Sequence, residues 1–365
     1  MDSQELISLL KDTDLWPEEE SVQSEITQLE KTHADARQLG KELLQRDVIT
    51  PYQANQLLTG NGQSLVNGPY RVLERIAEGG MGVVFQARHF RIHRIVALKV
   101  IRRERITNRK AIDRFLREVR ASAKVSHPNI VRAYDADQVG EDYYFAMEFL
   151  DGEDLSKMIK REGALKQEQI TDYIFQAALG LQHIHENDMV HRDIKPGNLM
   201  VVKKTDTQPT NNALLGGPWG QIKLLDMGLA RLIVDPDASP EATLTQLGTV
   251  LGTADYMSPE QALHSRKVDI RSDIYSLGCT YYYGLTGCVP YPGGGPVEKI
   301  LKHQLDTPTP IDKFRDDVPK PLLFILDKMM GKKREDRFQT PQELVEALRM
   351  AMDERPVQAI PISEE

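Results

Sequence analysis

The spacing of apolar residues changes character once along this chain, and that change restricts the fold more than any other feature. From Tyr70, segments rich in β-branched and aromatic residues read as strands at 70–76, 83–88, 95–101 and 143–149. One longer stretch, 111–125, interrupts them with Phe115, Val119, Ser122 and Ala123 on a shared helical face. Beyond Asp151 helical spacing takes over, at 167–187, 271–285, 297–304, 319–330 and 341–352, with two short strands at 199–202 and 222–225. The class is α+β in two lobes: a small β-rich one with one main helix, and a larger helical one, joined near 148–152.

Ahead of these lobes, residues 1–66 read as a small module of short amphipathic helices. Leu6, Leu9 and Leu10 make one apolar stripe, Val22, Ile26 and Leu29 a second, and Leu39, Leu43 and Leu44 a third. Pro17 with Glu18, Glu19 and Glu20 suits a helical first turn, and Thr50-Pro51 opens a segment that Gly60 can close. The polar stretches 60–64 and 67–69 suggest a linker, so the main domain is expected over 69–352, with lobes 69–149 and 151–352 and a tail over 353–365. Between the two short strands, 203–221 carries turn signals at Asn211-Asn212 and Gly216-Gly217-Pro218 and no assigned chemistry.

A formal net charge of -8 argues against a general nucleic-acid binder, whose affinity rests on cations that neutralise phosphates. The basic run Arg102, Arg103, Arg105, Arg109 and Lys110 reads as a solvated face. Cys279 and Cys288 are the only cysteines, too few for a disulfide scaffold, which points to a reducing, cytoplasmic setting. No stretch approaches the roughly 20 apolar residues that span a bilayer, and the acidic N-terminus lacks a signal-peptide pattern.

Chemistry concentrates in the run His191-Arg192-Asp193-Ile194-Lys195-Pro196-Gly197-Asn198. If a phosphoryl group is transferred here, Asp193 accepts the proton of the attacking hydroxyl. Lys195 balances charge on the moving group, and Asn198 presents an amide oxygen to Mg²⁺. Asp226, just after a short strand, supplies a second hard oxygen for the metal. Upstream, Ile76-Ala77-Glu78-Gly79-Gly80-Met81-Gly82-Val83-Val84 lies between two strands, where it serves either as a plain hairpin or as a turn whose backbone approaches phosphates. Lys99 stands in the apolar run Val96-Ala97-Leu98-Lys99, and Glu118 beside Val119 can pair with it, turning the ammonium toward α- and β-phosphates. Alone, Lys99 could equally face water and Glu118 be a solvated helix residue.

In that order these motifs resemble the eukaryotic-like (Hanks-type) protein kinases, specifically the bacterial serine/threonine kinases, over about 69–352. The resemblance implies the two-lobed protein-kinase fold, with ATP and Mg²⁺, or Mn²⁺ in its place, in the cleft between the lobes. It makes Ile76, Ala77, Glu78, Gly79, Gly80, Met81, Gly82 and Val84 the nucleotide-covering turn, Lys99 the strand lysine and Glu118 its partner. Asp193 becomes the base, with Asn198 and Asp226 as metal ligands. Val84 and Ala97 would cover adenine, Met147 is similar to a gatekeeper, and Glu148 to Leu150 to the hinge. Ser258-Pro259-Glu260 resembles the end of the activation segment, with Arg337 partnering Glu260 and Asp273 anchoring the catalytic loop.

Lys195 and Thr253 resemble serine/threonine rather than tyrosine kinases, so protein substrates with Ser or Thr acceptors are implied. Arg192, adjacent to the base, resembles kinases in which a cationic pocket receives an activation-segment phosphate, and on that resemblance Thr245 or Thr249 is the expected autophosphorylation site. Three positions depart from the family pattern. Ala77 replaces a glycine and restricts the turn. Met227 replaces a phenylalanine with adaptable apolar volume, and Ser258 replaces an alanine. The alternative is a pseudokinase scaffold, which typically lacks one of Lys99, Asp193, Asn198 and Asp226. Self-association through the kinase domain or the N-terminal module stays open.

Overall fold

The computed structural model describes residues 1–79, 82–101, 119, 122, 124–203, 218–226, 254–263 and 268–353. The chain forms two compact units: Met1–Val119 with Ala133–Leu150, and Arg120–Arg132 with Asp151–Glu365.

The first unit begins with four helices, α1 (Ser3–Asp12), α2 (Glu20–Thr32), α3 (Ala36–Gln45) and α4 (Pro51–Leu58). Asp2 caps α1, and Thr50 caps α4 ahead of Pro51, whose missing N–H costs nothing at a first helical position. Pro17 lies before α2 rather than in its first turn; the helix starts at Glu20, and the Pro17 carbonyl instead accepts from Gln23 Nε2 at 2.7 Å. Leu6, Leu10, Ile26, Leu39, Leu43 and Leu57 bury the stripes that the spacing indicates. The segment expected as a linker is ordered as well. It holds a 3-10 turn, Gly62–Leu65, and strand β1 (Val66–Asn67), because Leu65 is buried in the helical core and β1 pairs with Arg71 and Tyr70.

Strands β2 (Tyr70–Gly79), β3 (Gly82–His89), β4 (Ile95–Ile101), β5 (Ala133–Val139) and β6 (Asp142–Glu148) complete an antiparallel sheet in the order β1-β2-β3-β4-β6-β5. β5 was not legible as a strand: its Asp135 and Asp137 are tolerated because it lies at the sheet edge. Register assigns the two faces. Val84 lies opposite Lys99, and Met147 opposite Ala97, so Val84, Ala97, Lys99 and Met147 share one face. Val72 and Phe85 belong to the other, where they join the core of the N-terminal helices.

In the second unit, β7 (Gly152–Asp154) leads into α5 (Leu155–Glu162), capped by Asp154, and then into the long α6 (Gln167–Glu186). β7, β8 (Leu199–Val202) and β9 (Gln221–Leu224) form a small antiparallel sheet. Helices α7 (Pro259–Leu263), α8 (Ile270–Thr286), α9 (Pro296–Leu305), α10 (Lys320–Met329) and α11 (Pro341–Asp353) follow. α6 and α8 share the core through Ile174, Ala177, Leu181, Ile274, Leu277 and Tyr281. Their close approach depends on Gly284, where a Cβ would lie 2.4 Å from Ile170. Cys279 is buried in α8 and Cys288 is exposed, both as free thiols. Among the described residues no helix is long and apolar enough to cross a membrane.

Candidate active site

β8 and β9 run antiparallel with Leu199 opposite Leu224, so the residues just outside this pair, Asn198 and Leu225, emerge at the same end of the sheet. The Leu225 N–H donates to the Asn198 carbonyl at 2.9 Å, which brings Asp226 to the end of the loop 191–198. His191 is fully buried. Its Nε2–H donates to the Leu225 carbonyl at 2.8 Å, while Nδ1 accepts from the Asp193 N–H at 3.4 Å. One imidazole thus ties the loop to the residues that follow β9 and carry Asp226.

Arg192 has φ +69° and Asp226 φ +56°, left-handed backbone that side chains with a Cβ adopt only when their surroundings impose it. Asp273, on α8, imposes the first. Its carboxylate accepts from the N–H groups of His191 and Arg192, each at 2.7 Å. Burial pushes the Asp273 carboxyl above the usual carboxylate range, against the pull of the neighbouring positive charge and the two amides. The Arg192 carbonyl is held from another direction by Gln261 Nε2 at 2.9 Å.

Within this frame Lys195 Nζ lies 2.8 Å from Asp193 Oδ2 and 3.1 Å from Oδ1. Asn198 Nδ2 donates to the Asp193 carbonyl at 2.7 Å and to Oδ2 at 2.8 Å. Oδ2 therefore holds two donors, and Oδ1 keeps acceptor capacity for an incoming hydroxyl. Because both Asn198 N–H groups are spent on Asp193, its amide oxygen is left for a cation. An amide oxygen and the Asp226 carboxylate are hard donors that suit Mg²⁺ and leave coordination positions for phosphate and water. Among the described residues no cluster of three His, Cys, Asp or Glu could hold a metal alone.

In the first unit Lys99 is buried on the sheet face shared by Val84, Ala97 and Met147. Met147 is buried, and Glu148 and Leu150 are half-buried. Ile76, Ala77, Glu78 and Gly79 form the exposed end of β2. A Cβ on Gly82 would sit 2.0 Å from the Val100 carbonyl, so only glycine fits where β3 leaves the turn. Gly80, Met81, Glu118, Met227, Thr245, Thr249 and Thr253 lie outside the described residues.

At the foot of α7 the buried Arg337 guanidinium grips Glu260 with two hydrogen bonds, at 2.7 and 2.9 Å, and Ser272 donates to the same carboxylate. Burial pushes the Glu260 carboxyl up, but Arg337 and Ser272 outweigh it and hold the group below its ordinary range. Gln261 is the positioning residue that sequence reasoning missed. Its Oε1 accepts from the N–H and the hydroxyl of Ser258, and its amide reaches the catalytic loop. The visible signal was the spacing Ser258-x-x-Gln261 before a helix, that of a capping box, although the Gln261 N–H here donates to the Ser258 carbonyl and not to its hydroxyl. Ser258 in place of the family's alanine adds the hydroxyl half of that link.

The family described as Protein kinase domain matches residues 70–348. A probable serine/threonine-protein kinase of Clostridium acetobutylicum is 36% identical over 285 residues, 78% of this chain and 40% of that protein. Serine/threonine-protein kinase PknB of Mycobacterium tuberculosis is 36% identical over 279 residues, 75% of this chain and 41% of that one. The matched part thus spans about two-fifths of the length of these curated relatives. The crystal structure of the PknI kinase domain of M. tuberculosis superposes with a TM-score of 0.60 at 22% identity, covering 80% of this chain and 98% of that domain, a likeness of fold.

Proposed function

The chain belongs to the protein kinase family, and from that premise we propose that it transfers the γ-phosphoryl group of ATP to serine or threonine hydroxyls of proteins. One observation carries the reading: Asp193 is fixed by Lys195 and Asn198 in a loop pinned through two amides by Asp273. The substrate hydroxyl hands its proton to Asp193 as its oxygen bonds to the γ-phosphorus and the bond to the ADP oxygen breaks. Lys195 meets the charge on the transferring group. Mg²⁺, or Mn²⁺ in its place, held by Asn198 and Asp226, neutralises the phosphates when bound. Lys99 orients the α- and β-phosphates, with Glu118 as its partner. The turn of Ile76 to Val84 covers the nucleotide, with Ala97, Met147, Glu148 and Leu150 around the base.

A scaffold without chemistry is not favoured, since Lys99, Asp193, Asn198 and Asp226 are all present. Free thiols at Cys279 and Cys288 suit a cytoplasmic setting. Thr245 or Thr249 is the proposed autophosphorylation site, where a phosphate would add about -1.5 to -2 charge opposite Arg192. The test is transfer of labelled phosphate from ATP to a basic protein and to the chain itself, with and without Mg²⁺. Asp193→Asn should lower the rate by roughly 10² to 10⁴. Equal rates for variant and wild type would defeat the reading.

A further inference from the structure

We propose that Thr50 and Gln53, in the N-terminal helical module, are positioning residues for the nucleotide-covering turn, acting through the backbone of β2. The proposal rests on the reading of 76–84 as that turn.

β2 slips register against β3 between Val72 and Glu74, which leaves Leu73 as an extra residue in the ladder. β1 supports only Tyr70 and Arg71 on the opposite edge. The two carbonyls at the slip are taken by the helix that precedes the sheet. Gln53 Nε2 donates to the Val72 carbonyl at 2.7 Å, and the Thr50 hydroxyl donates to the Leu73 carbonyl. Four residues later β2 reaches Ala77, past a second slip between Arg75 and Ala77. A bulge sets the direction of the strand beyond it, so whatever fixes the bulge aims the hairpin tip.

The same two side chains form the capping box of α4. Thr50 Oγ1 accepts from the Gln53 N–H at 3.1 Å, and Gln53 Oε1 accepts from the Thr50 N–H at 2.9 Å. Each side chain therefore accepts within the helix and donates to the strand, and Gln53 does so fully buried. A glutamate would close the box equally well, yet it has no proton for the Val72 carbonyl. The choice of glutamine at this position marks a tie to β2 rather than a helix cap alone. Val72 and Phe85 lie on the face away from Lys99 and pack against the same helices, so the module braces the hairpin from behind.

Thr50→Asp and Gln53→Glu keep the capping acceptors and remove the donors, whereas Thr50→Ser keeps both. In the full chain, the first two should raise KM for ATP about three- to tenfold with KM for the protein substrate within about twofold, and speed amide exchange in β2 about tenfold. Thr50→Ser should match wild type. Unchanged exchange and unchanged KM for ATP in folded Thr50→Asp and Gln53→Glu would overturn the tie. Should the buried carboxylate of Gln53→Glu unfold the chain, Thr50→Asp at its half-exposed position carries the test. If wild type transfers no phosphate, the kinase reading fails separately and exchange in β2 still decides the tie.

Discussion

Two residues with a Cβ, Arg192 and Asp226, hold left-handed backbone on either side of Asp193 and Asn198. Such conformations cost on the order of 1–3 kcal/mol each and persist where neighbours over-determine them. Asp273 does this for Arg192 with two charge-assisted hydrogen bonds at 2.7 Å, from a carboxyl taken wholly out of water. Asp273→Asn keeps the shape but turns one acceptor into a donor facing an N–H group. We expect kcat to fall about 10- to 100-fold with KM for ATP within about threefold, because the loop loses its aim and no ligand contact is removed. Steady-state kinetics on folded variant check it; a change confined to KM would contradict the positioning role.

Between elements, the Glu260–Arg337 pair ties α7 to the segment that precedes α11 within the second unit. Arg337 is fully buried, and besides Glu260 it donates to the carbonyls of Gly331, Arg271 and Lys332. Its fork fills every donor direction, and its plane lies over the Tyr275 ring at 4.7 Å. A lysine there can satisfy neither the geometry nor the number of acceptors. Arg337→Lys should cost about 3–5 kcal/mol, a fall of roughly 6–20 °C in Tm by calorimetry; a fall under about 2 °C would show that the network is dispensable. The pair follows from the kinase resemblance rather than from spacing, whereas Asp193, Lys195 and Asn198 stand out in the sequence as a dense polar run, and the structure brings these three together. β2, β3, β4 and β6 of the first unit and the long helices of the second were legible from periodicity. What escaped has physical causes. β5 carries acids that only an edge strand tolerates, and α5 is short. Thr50-x-x-Gln53 and Ser258-x-x-Gln261 show the spacing of a helix start, but their further bonds to the carbonyls of Val72, Leu73 and Arg192 do not show, because a main-chain carbonyl is the same in every sequence.

For the molecule as a whole, the buried His303 makes stability depend on pH in a way one substitution can isolate. It sits on α9 with Nδ1 accepting from the Tyr275 hydroxyl at 2.8 Å, beside the Tyr291 ring and with Lys332 donating to its own carbonyl. Burial, helped by the Lys332 and Lys299 charges, pushes its pKa down to about 3. An unfolded histidine titrates at about 6.5, so between that pH and about 3 the unfolded chain binds a proton that the folded one refuses. The contribution is complete above that unfolded value and is lost as pH falls, by at most about 1.4 kcal/mol per pH unit. His127, pushed down to about 4, acts in the same direction. Glu260 and Asp269, held low, lose stability only in more acid solution, while Asp273 and Asp327, held high, gain it as they protonate. The wild-type profile is the sum of all these. His303→Gln keeps a polar partner for Tyr275 and removes only the His303 titration. The variant should melt below wild type at pH 7.5, and the gap should shrink by roughly 4–8 °C by pH 5, where about 2 kcal/mol of the histidine's contribution is gone. A gap that stays constant from pH 7.5 to 5 in scanning calorimetry would mean that His303 protonates as readily in the folded chain as in the unfolded one.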